Sequence, residues 1–344
     1  MLYFQCDYAE GAHPSIIKAL ADTNMVQTPG YSTDSFTESA KEKIRKRLKR
    51  DDIDIHLVVG GTQANLIVIS SILRPYQGCI AADTGHINTH ETGSIEATGH
   101  KVIAIPGEDG KINAEQIKDY CAFHYSLGNR EHIVQPGMVY ISLSTETGSM
   151  YTKKEIQDIY AVCKEYDMKL FIDGARLGYA LAAEGNDIAF EDLPDLCDVF
   201  YIGGTKCGAL FGEAIVIVDP TLTKDFRYMI KQRGAMFAKG RLLGIQFDCL
   251  FTDDIYFKIN AKAVEYALQI KRAFNKKGIK SYGSSMTNQQ FVLLNKEQQE
   301  YFAKNYVTDY FDRYDDEYDI IRFCTSWATQ EENVKALLKD IEAL

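Results

Sequence analysis

Asp198-Val-Phe-Tyr-Ile-Gly-Gly-Thr-Lys206-Cys-Gly-Ala-Leu-Phe-Gly212 is the stretch on which the fold turns. An apolar, strand-like run ends in two glycines, and a Thr-Lys pair follows with another glycine behind it. Upstream, Leu170-Phe-Ile-Asp173-Gly-Ala-Arg176 carries an acid at the end of a second strand-like run. A buried lysine at a strand end can form a Schiff base. An acid at a neighbouring strand end can hold a pyridinium nitrogen protonated. These are the two protein groups that a pyridoxal 5′-phosphate (PLP) enzyme needs most. A lysine alone says little, since most lysines are solvated surface groups. The pair, each member placed after a buried strand, carries the reading.

Working outward, seven short β-rich runs stand out: Ile55–Val59, Cys79–Ala82, Lys101–Ile105, Met138–Leu143, Lys169–Ile172, Asp198–Ile202 and Ala214–Val218. Helical patterns such as Asn113–Phe123 and Lys153–Asp167 separate most of them. This alternation predicts an α/β fold, a mainly parallel seven-stranded sheet with helices on both faces. A parallel crossover takes about a dozen residues or more, usually with a helix. Gly203 to Glu213 is too short for that, so the last strand should run antiparallel, with Lys206 on the tight connection. Active sites of open α/β sheets gather at strand carboxyl ends.

After Pro220 the pattern changes. A helical stretch from about Leu222 to Lys277 is broken near Gly234, Gly240 and Thr252-Asp253. Strands at Asn288–Asn295 and Tyr318–Phe323 and helices at Lys296–Tyr306 and Gln330–Leu344 follow, with Thr329 and Glu332 as a capping box for the last helix. The expected organisation is an N-terminal arm (1–15), a large PLP-binding domain (16–240) and a small C-terminal α+β domain (241–344).

Composition sets the class. With 344 residues the chain is too long for one simple core. Apolar content of 46% and charged content of 25% are those of a globular protein. A net charge of −10 argues against nucleic-acid or anionic-membrane partners, which need a basic face. No apolar run approaches the roughly 18 residues of a membrane span, and no signal-peptide pattern opens the chain. The eight cysteines form no Cys-x-x-Cys pair and no zinc-spaced cluster. Buried thiols in a reducing cytoplasm are the simplest expectation.

Other candidate site residues lie on turns at strand ends. Val58-Val-Gly60-Gly61-Thr62-Gln-Ala-Asn opens a helix straight after a strand. Its glycines let backbone N–H groups approach an anion, and the helix N-terminus adds favourable dipole charge. A Gly-Gly pair before a helix is by itself more often a packing feature. Beside the Lys/Asp pair, a phosphate cradle is the better reading. His86 is the first polar ring after the second strand. It can stack on a cofactor or move a proton, although a lone histidine is more often a surface group. His86, His90 and Glu91 lack the His-Glu-x-x-His order of a zincin, so no metal is expected. Arg322 sits in an otherwise apolar strand, where burial is costly without a partner such as a bidentate carboxylate. A place at the strand's solvent edge is equally open.

The order Gly60-Gly-Thr62, His86…Glu91, Asp173-Gly-Ala-Arg176, Gly204-Thr-Lys206 and Arg322 resembles the low-specificity L-threonine aldolase family, within the aspartate-aminotransferase-like (fold type I) PLP enzymes. The resemblance runs from about Asp7 to the C-terminus and is strongest over residues 55–215. It implies Lys206 as the Schiff-base lysine, Asp173 as the pyridine-nitrogen partner and His86 as the ring-stacking and proton-transfer histidine. It implies Gly60, Gly61 and Thr62 as the phosphate loop, with Thr205 also at the cofactor, and Arg176 and Arg322 on the substrate carboxylate. Tyr31, in Pro29-Gly-Tyr-Ser-Thr-Asp, resembles a segment that reaches a neighbouring subunit's site, which implies a homodimer or homotetramer with shared active sites. The chain also departs from the pattern. The family's Ser-Asp-Thr is here Cys6-Asp7-Tyr8, which puts Cys6 in the place of a substrate contact. An expected arginine is missing from Lys231-Gln-Arg-Gly-Ala-Met-Phe-Ala238, where Lys231 remains and Lys239 and Arg241 are candidates to substitute.

The expected activity is cytoplasmic, PLP-dependent cleavage of the Cα–Cβ bond of a β-hydroxy-α-amino acid such as L-threonine or L-allo-threonine. The products are glycine and an aldehyde. A β-eliminating lyase or an aminotransferase on the same fold is the alternative enzyme. A non-catalytic PLP-fold binding protein is the alternative from another class.

Overall fold

The computed structural model describes residues 1–344. Seven strands form one sheet: β1 (Asp54–Val58), β2 (Gln77–Ala82), β3 (Val102–Ile105), β4 (Gln135–Ser142), β5 (Lys169–Asp173), β6 (Val199–Gly203) and β7 (Glu213–Ile217). Their order is β1-β7-β6-β5-β4-β2-β3. β7 runs antiparallel to β1 and β6, and the remaining pairings are parallel. The short Gly204–Gly212 connection thus turns back as expected. Strand limits differ from the expected ones by a few residues. β4 begins at Gln135 because Pro136, which has no N–H to offer, is tolerated near the first residue of a strand. β7 begins at Glu213, a charged residue that an apolar-run reading leaves out.

The strands are buried on both faces, as their Val/Ile/Phe runs require. Successive side chains alternate between two cores. Ile141, Leu170, Ile172, Phe200 and Ile202 face the helices Ser35–Leu48, Lys153–Glu165 and Arg241–Leu250. Tyr140, Phe171, Val199 and Tyr201 face the helix Gly61–Ile72 and Phe226 and Ile230 of Phe226–Gln232. Capping boxes start two crossover helices, Asn113/Gln116 and Thr152/Glu155. No helix is long and apolar enough to cross a membrane.

The expected helical stretch after Pro220 is three helices, Phe226–Gln232, Arg241–Leu250 and Ile255–Lys276. Leu243, Phe247 and Leu250 belong to the large core, as do Ala263 and Val264, whereas Tyr266, Ile270 and Phe274 belong to a third core with Phe323 and Leu337. That third core is backed by an antiparallel sheet ordered β9-β10-β8, from β8 (Gln289–Asn295), β9 (Asp309–Arg313) and β10 (Tyr318–Cys324). β9 lies outside the sequence expectations, because Asp-Tyr-Phe-Asp-Arg at an exposed edge has too little apolar alternation to read as a strand. The N-terminal arm joins this smaller body. Leu2–Tyr3 pairs in parallel with Tyr306–Val307, and Phe4 enters its core. The expected capping box of the last helix does not form. Its N-cap is Gln330, with no side-chain cap, while the Thr329 hydroxyl accepts from the Ser326 N–H at 2.8 Å.

Candidate active site

The parallel strands and the reversed β7 bring chemistry to one edge of the sheet. The carboxyl ends of β1, β4, β5 and β6 and the amino end of β7 surround a cavity of about 330 Å³. Gly60, Gly61, Thr62, Asp173, Thr205 and Lys206 line it, as do His86 and Arg176. Eight of the twelve sequence-derived candidates therefore converge.

Asp173 closes β5 and is 5% exposed. Tyr140 OH donates to its Oδ2 at 2.6 Å and Tyr201 OH to its Oδ1 at 2.5 Å, from the two flanking strands. Ala175 N donates at 2.9 Å and Asn65 Nδ2 at 3.2 Å. A carboxylate has about four lone-pair sites, so these donors fix it in place. The phenol hydroxyls are rotors, so one that turns aside would free a carboxylate lone pair for a pyridine N–H. Gly174 allows the turn that follows, because a Cβ there would meet the Tyr201 carbonyl oxygen at 1.9 Å.

Lys206 sits on the reversing turn, where Gly212 holds φ +124°. Tyr179 OH donates to the Lys206 carbonyl at 2.5 Å, which anchors the backbone and leaves the amine unengaged. Burial, and then the Arg176 charge, lower the Lys206 pKa and favour the free amine that attacks a carbonyl.

The cradle fits a phosphate on its own geometry. Gly60 caps the helix Gly61–Ile72 without a side-chain bond, so first-turn N–H groups stay open to an anion. The space beside Gly60 is open, with nothing within 4 Å of a Cβ placed there, whereas at Gly61 a Cβ would come to 3.0 Å from Tyr201 OH. Lys206, Asp173 and this cradle thus match the aldehyde, ring nitrogen and phosphate of PLP.

His86 is held from behind. Its Nδ1 lies 2.8 Å from Glu91 Oε1, and Glu91 also accepts from Asn65 Nδ2 and Ser94 Oγ, each at 2.7 Å. A carboxylate only accepts, so His86 carries its proton on Nδ1 and leaves Nε2 as the basic nitrogen. Sequence reading gave Glu91 little weight, although its place five residues after His86 was visible.

Both arginines arrive already paired. Arg176 Nε and Nη2 donate to Asp7 at 2.8 and 3.1 Å. Burial pushes the Asp7 pKa up, but the Arg176 and Lys206 charges outweigh it and leave Asp7 below the usual carboxylate range. Arg322 is not at a solvent edge. It lines an adjoining cleft of about 620 Å³ with Tyr8, His90 and Asp309, and this cleft shares His86, Arg176 and Lys206 with the first cavity.

Three candidates stand apart from both cavities. Tyr31 is 45% exposed, and Lys231 Nζ lies 4.9 Å above its ring. Cys6 is half-buried beside Asp7 but lines neither cavity. Arg241 is excluded as a substitute cation, because it donates to the Thr23 and Val26 carbonyls. Lys239 is exposed.

Glu213 is the residue that sequence reading missed most completely. It lines the cavity, is 3% exposed and accepts from Gly204 N at 2.9 Å. Burial pushes its pKa up from 4.5 to about 8. An acid whose folded pKa is raised adds stability below its unfolded value and loses it as pH rises through the folded value. The cofactor-free wild type should therefore lose thermal stability from about pH 4.5 to about pH 8, and Glu213→Gln should lose less. Parallel melting curves for the two proteins would refute this.

The chain matches the beta-eliminating lyase family over residues 7–304. A low-specificity L-threonine aldolase from Pseudomonas sp. is 32% identical over 262 residues, 76% of this chain and 74% of that protein. One from Pseudomonas aeruginosa is 30% identical over 257 residues, 74% and 73% of the two chains. The solved structure of Leishmania major threonine aldolase is 42% identical, with a TM-score of 0.96 over 100% of this chain and 99% of that one. A Thermus thermophilus aspartate aminotransferase, at 12% identity and TM-score 0.71 over 100% and 92%, shares the fold.

Proposed function

The chain belongs to the beta-eliminating lyase family, and we propose that it cleaves the Cα–Cβ bond of L-threonine, L-allo-threonine and related β-hydroxy-α-amino acids to glycine and an aldehyde. It is a PLP-dependent lyase. One observation carries the reading: Lys206, Asp173 and the Gly60–Thr62 turn line a single cavity, with the Glu91-held His86 beside them.

PLP, when bound, supplies an electron sink for the pair released at Cα. The protein does the rest. Lys206 offers a free amine, and Asp173 holds the ring nitrogen. Asp7 fixes the Arg176 fork, and Arg322 reaches in from the smaller body, so the substrate carboxylate is gripped between the bodies, a common place for ligand pockets. His86 Nε2 takes the proton of the substrate hydroxyl as the bond opens.

Arg322→Lys keeps the charge but loses the planar fork. The variant should retain its PLP, raise KM for L-threonine by about tenfold or more and lower kcat as alignment is lost. Steady-state glycine release checks this, and wild-type KM and kcat would refute the proposed grip.

The protein is further proposed to be a homodimer or homotetramer. The cavity's arginine is paired with Asp7 and its lysine, Lys206, is the amine assigned to the aldehyde, so the phosphate needs a cation from elsewhere. Tyr31 and Lys231 are exposed together, and Tyr228, on the same short helix as Lys231, is 77% exposed. A second copy presenting them to this site would complete it. We propose that the boundary between the two bodies falls inside Ile255–Lys276 and not at 240/241, a reading supported by that helix serving both cores. Eight unpaired cysteines, six of them buried, support a cytoplasmic location.

A further inference from the structure

We propose that Asp309 is a built-in rival of the substrate carboxylate for Arg322, and so sets how tightly the amino acid is held. The proposal rests on the reading of Arg322 given above.

Asp309 opens β9 and stands directly opposite Arg322 in the antiparallel register, so both side chains leave the same face of the sheet. Both line the 620 Å³ cleft. Asp309 Oδ2 lies 2.9 Å from Arg322 Nη2. The rest of the guanidinium is also engaged. Nη1 donates to Gln289 Oε1 at 2.9 Å and Nη2 to the Gln5 carbonyl at 3.2 Å, while Nε is buried without a partner. A guanidinium grips a carboxylate with two parallel N–H groups. With Nε sealed from the cleft, the fork left for a substrate is the Nη1–Nη2 edge, and Asp309 already sits on Nη2.

An incoming carboxylate must displace Asp309 or share Nη2 with it, and two carboxylates at one site repel. Asp309 can move: its side chain is 30% exposed, against 14% for Arg322. The contrast with Arg176 is direct, because Asp7 on that arginine has no exposure and is also held by Asn288 Nδ2 at 2.9 Å. One arginine has a permanent partner and the other a replaceable one. Asp309 holds Arg322 in position before the substrate arrives and weakens its hold on the substrate afterwards.

The test uses the full-length PLP-loaded enzyme and glycine as the probe. Asp309→Asn should tighten glycine binding, read by calorimetry, by about twofold to fivefold, the scale of a partly exposed ion pair. KM for L-threonine should fall in step, with the gain in KM rather than in kcat. Glycinamide, which lacks the carboxylate, should bind wild type and variant alike. A purely structural Asp309 would weaken glycine binding on removal, and unchanged or weaker binding overturns the proposal. Asp309→Ser serves as a second variant. A crystal structure of the wild type with glycine decides the matter without any variant: the Arg322–Asp309 contact should be open, and an intact contact beside bound glycine overturns the proposal. Arg322→Lys separates this idea from its premise. If glycine binds that variant normally, the carboxylate reading fails. If only Asp309→Asn fails to tighten binding, the rival role alone falls.

Discussion

Lys206→Ala should abolish the borohydride-reducible visible absorbance of the PLP-loaded protein and lower L-threonine turnover by at least about a thousandfold. Lys206 is the only lysine lining the cofactor cavity, so no other amine can take its place. Its side chain is also the one whose pKa burial and Arg176 push down towards the reactive free base. The variant should fold, because the anchoring bond from Tyr179 is made to the Lys206 backbone carbonyl and survives the truncation. Removing a buried amine also removes a desolvation cost. Spectroscopy and turnover on the same preparation check the expectation, and an unchanged absorbance would place the attachment elsewhere.

Asp173→Asn should keep most of the PLP and lose about tenfold to a thousandfold in kcat, since an opposite charge in hydrogen-bond reach is worth about 1–3 pKa units at the ring nitrogen. The structure adds a second effect. Asp173 accepts from Tyr140, Tyr201, Asn65 and Ala175, and an amide turns one acceptor oxygen into a donor. A phenol hydroxyl can turn and accept, but the Ala175 N–H or the Asn65 amide then faces a donor in a buried site, at a cost of about 1–3 kcal/mol of stability. Melting and turnover should therefore both fall. Loss of turnover at undiminished stability would mean that the Ala175 and Asn65 donors do not depend on the carboxylate. Wild-type turnover would make Asp173 a structural acid.

The residues legible in the sequence were those whose chemistry is local. Lys206, Asp173 and Gly60–Thr62 each sit in a short motif at the end of an apolar run, so strand position and chemical type could be read together. The reversal of β7 was legible for the same reason, as the length of one connection. Residues whose role depends on partners distant in sequence were not legible in that way. Tyr140 and Tyr201 look like ordinary members of apolar strands, and only parallel pairing with β5 brings their hydroxyls to Asp173. A strand-interior tyrosine between fully buried neighbours was the available signal, since a buried hydroxyl needs a partner. Asp7 is 169 positions from Arg176 and reaches it because the N-terminal arm docks on the smaller body. Glu213 begins β7, and because that strand is reversed its first residue lies at the same edge as the last residues of the others. The pairing of Arg322 with Asp309 was hidden with β9 itself, whose polar edge composition does not read as a strand.

The account's central claim is that this cavity makes the chain a PLP-dependent carbon–carbon lyase, and the most direct test is the fate of L-threonine. The PLP-loaded protein is incubated with L-threonine, and glycine, acetaldehyde, 2-oxobutyrate and ammonia are quantified together. The account predicts glycine and acetaldehyde in equal amounts, and neither from the cofactor-free protein. 2-Oxobutyrate and ammonia in their place, or no product at all, would contradict it.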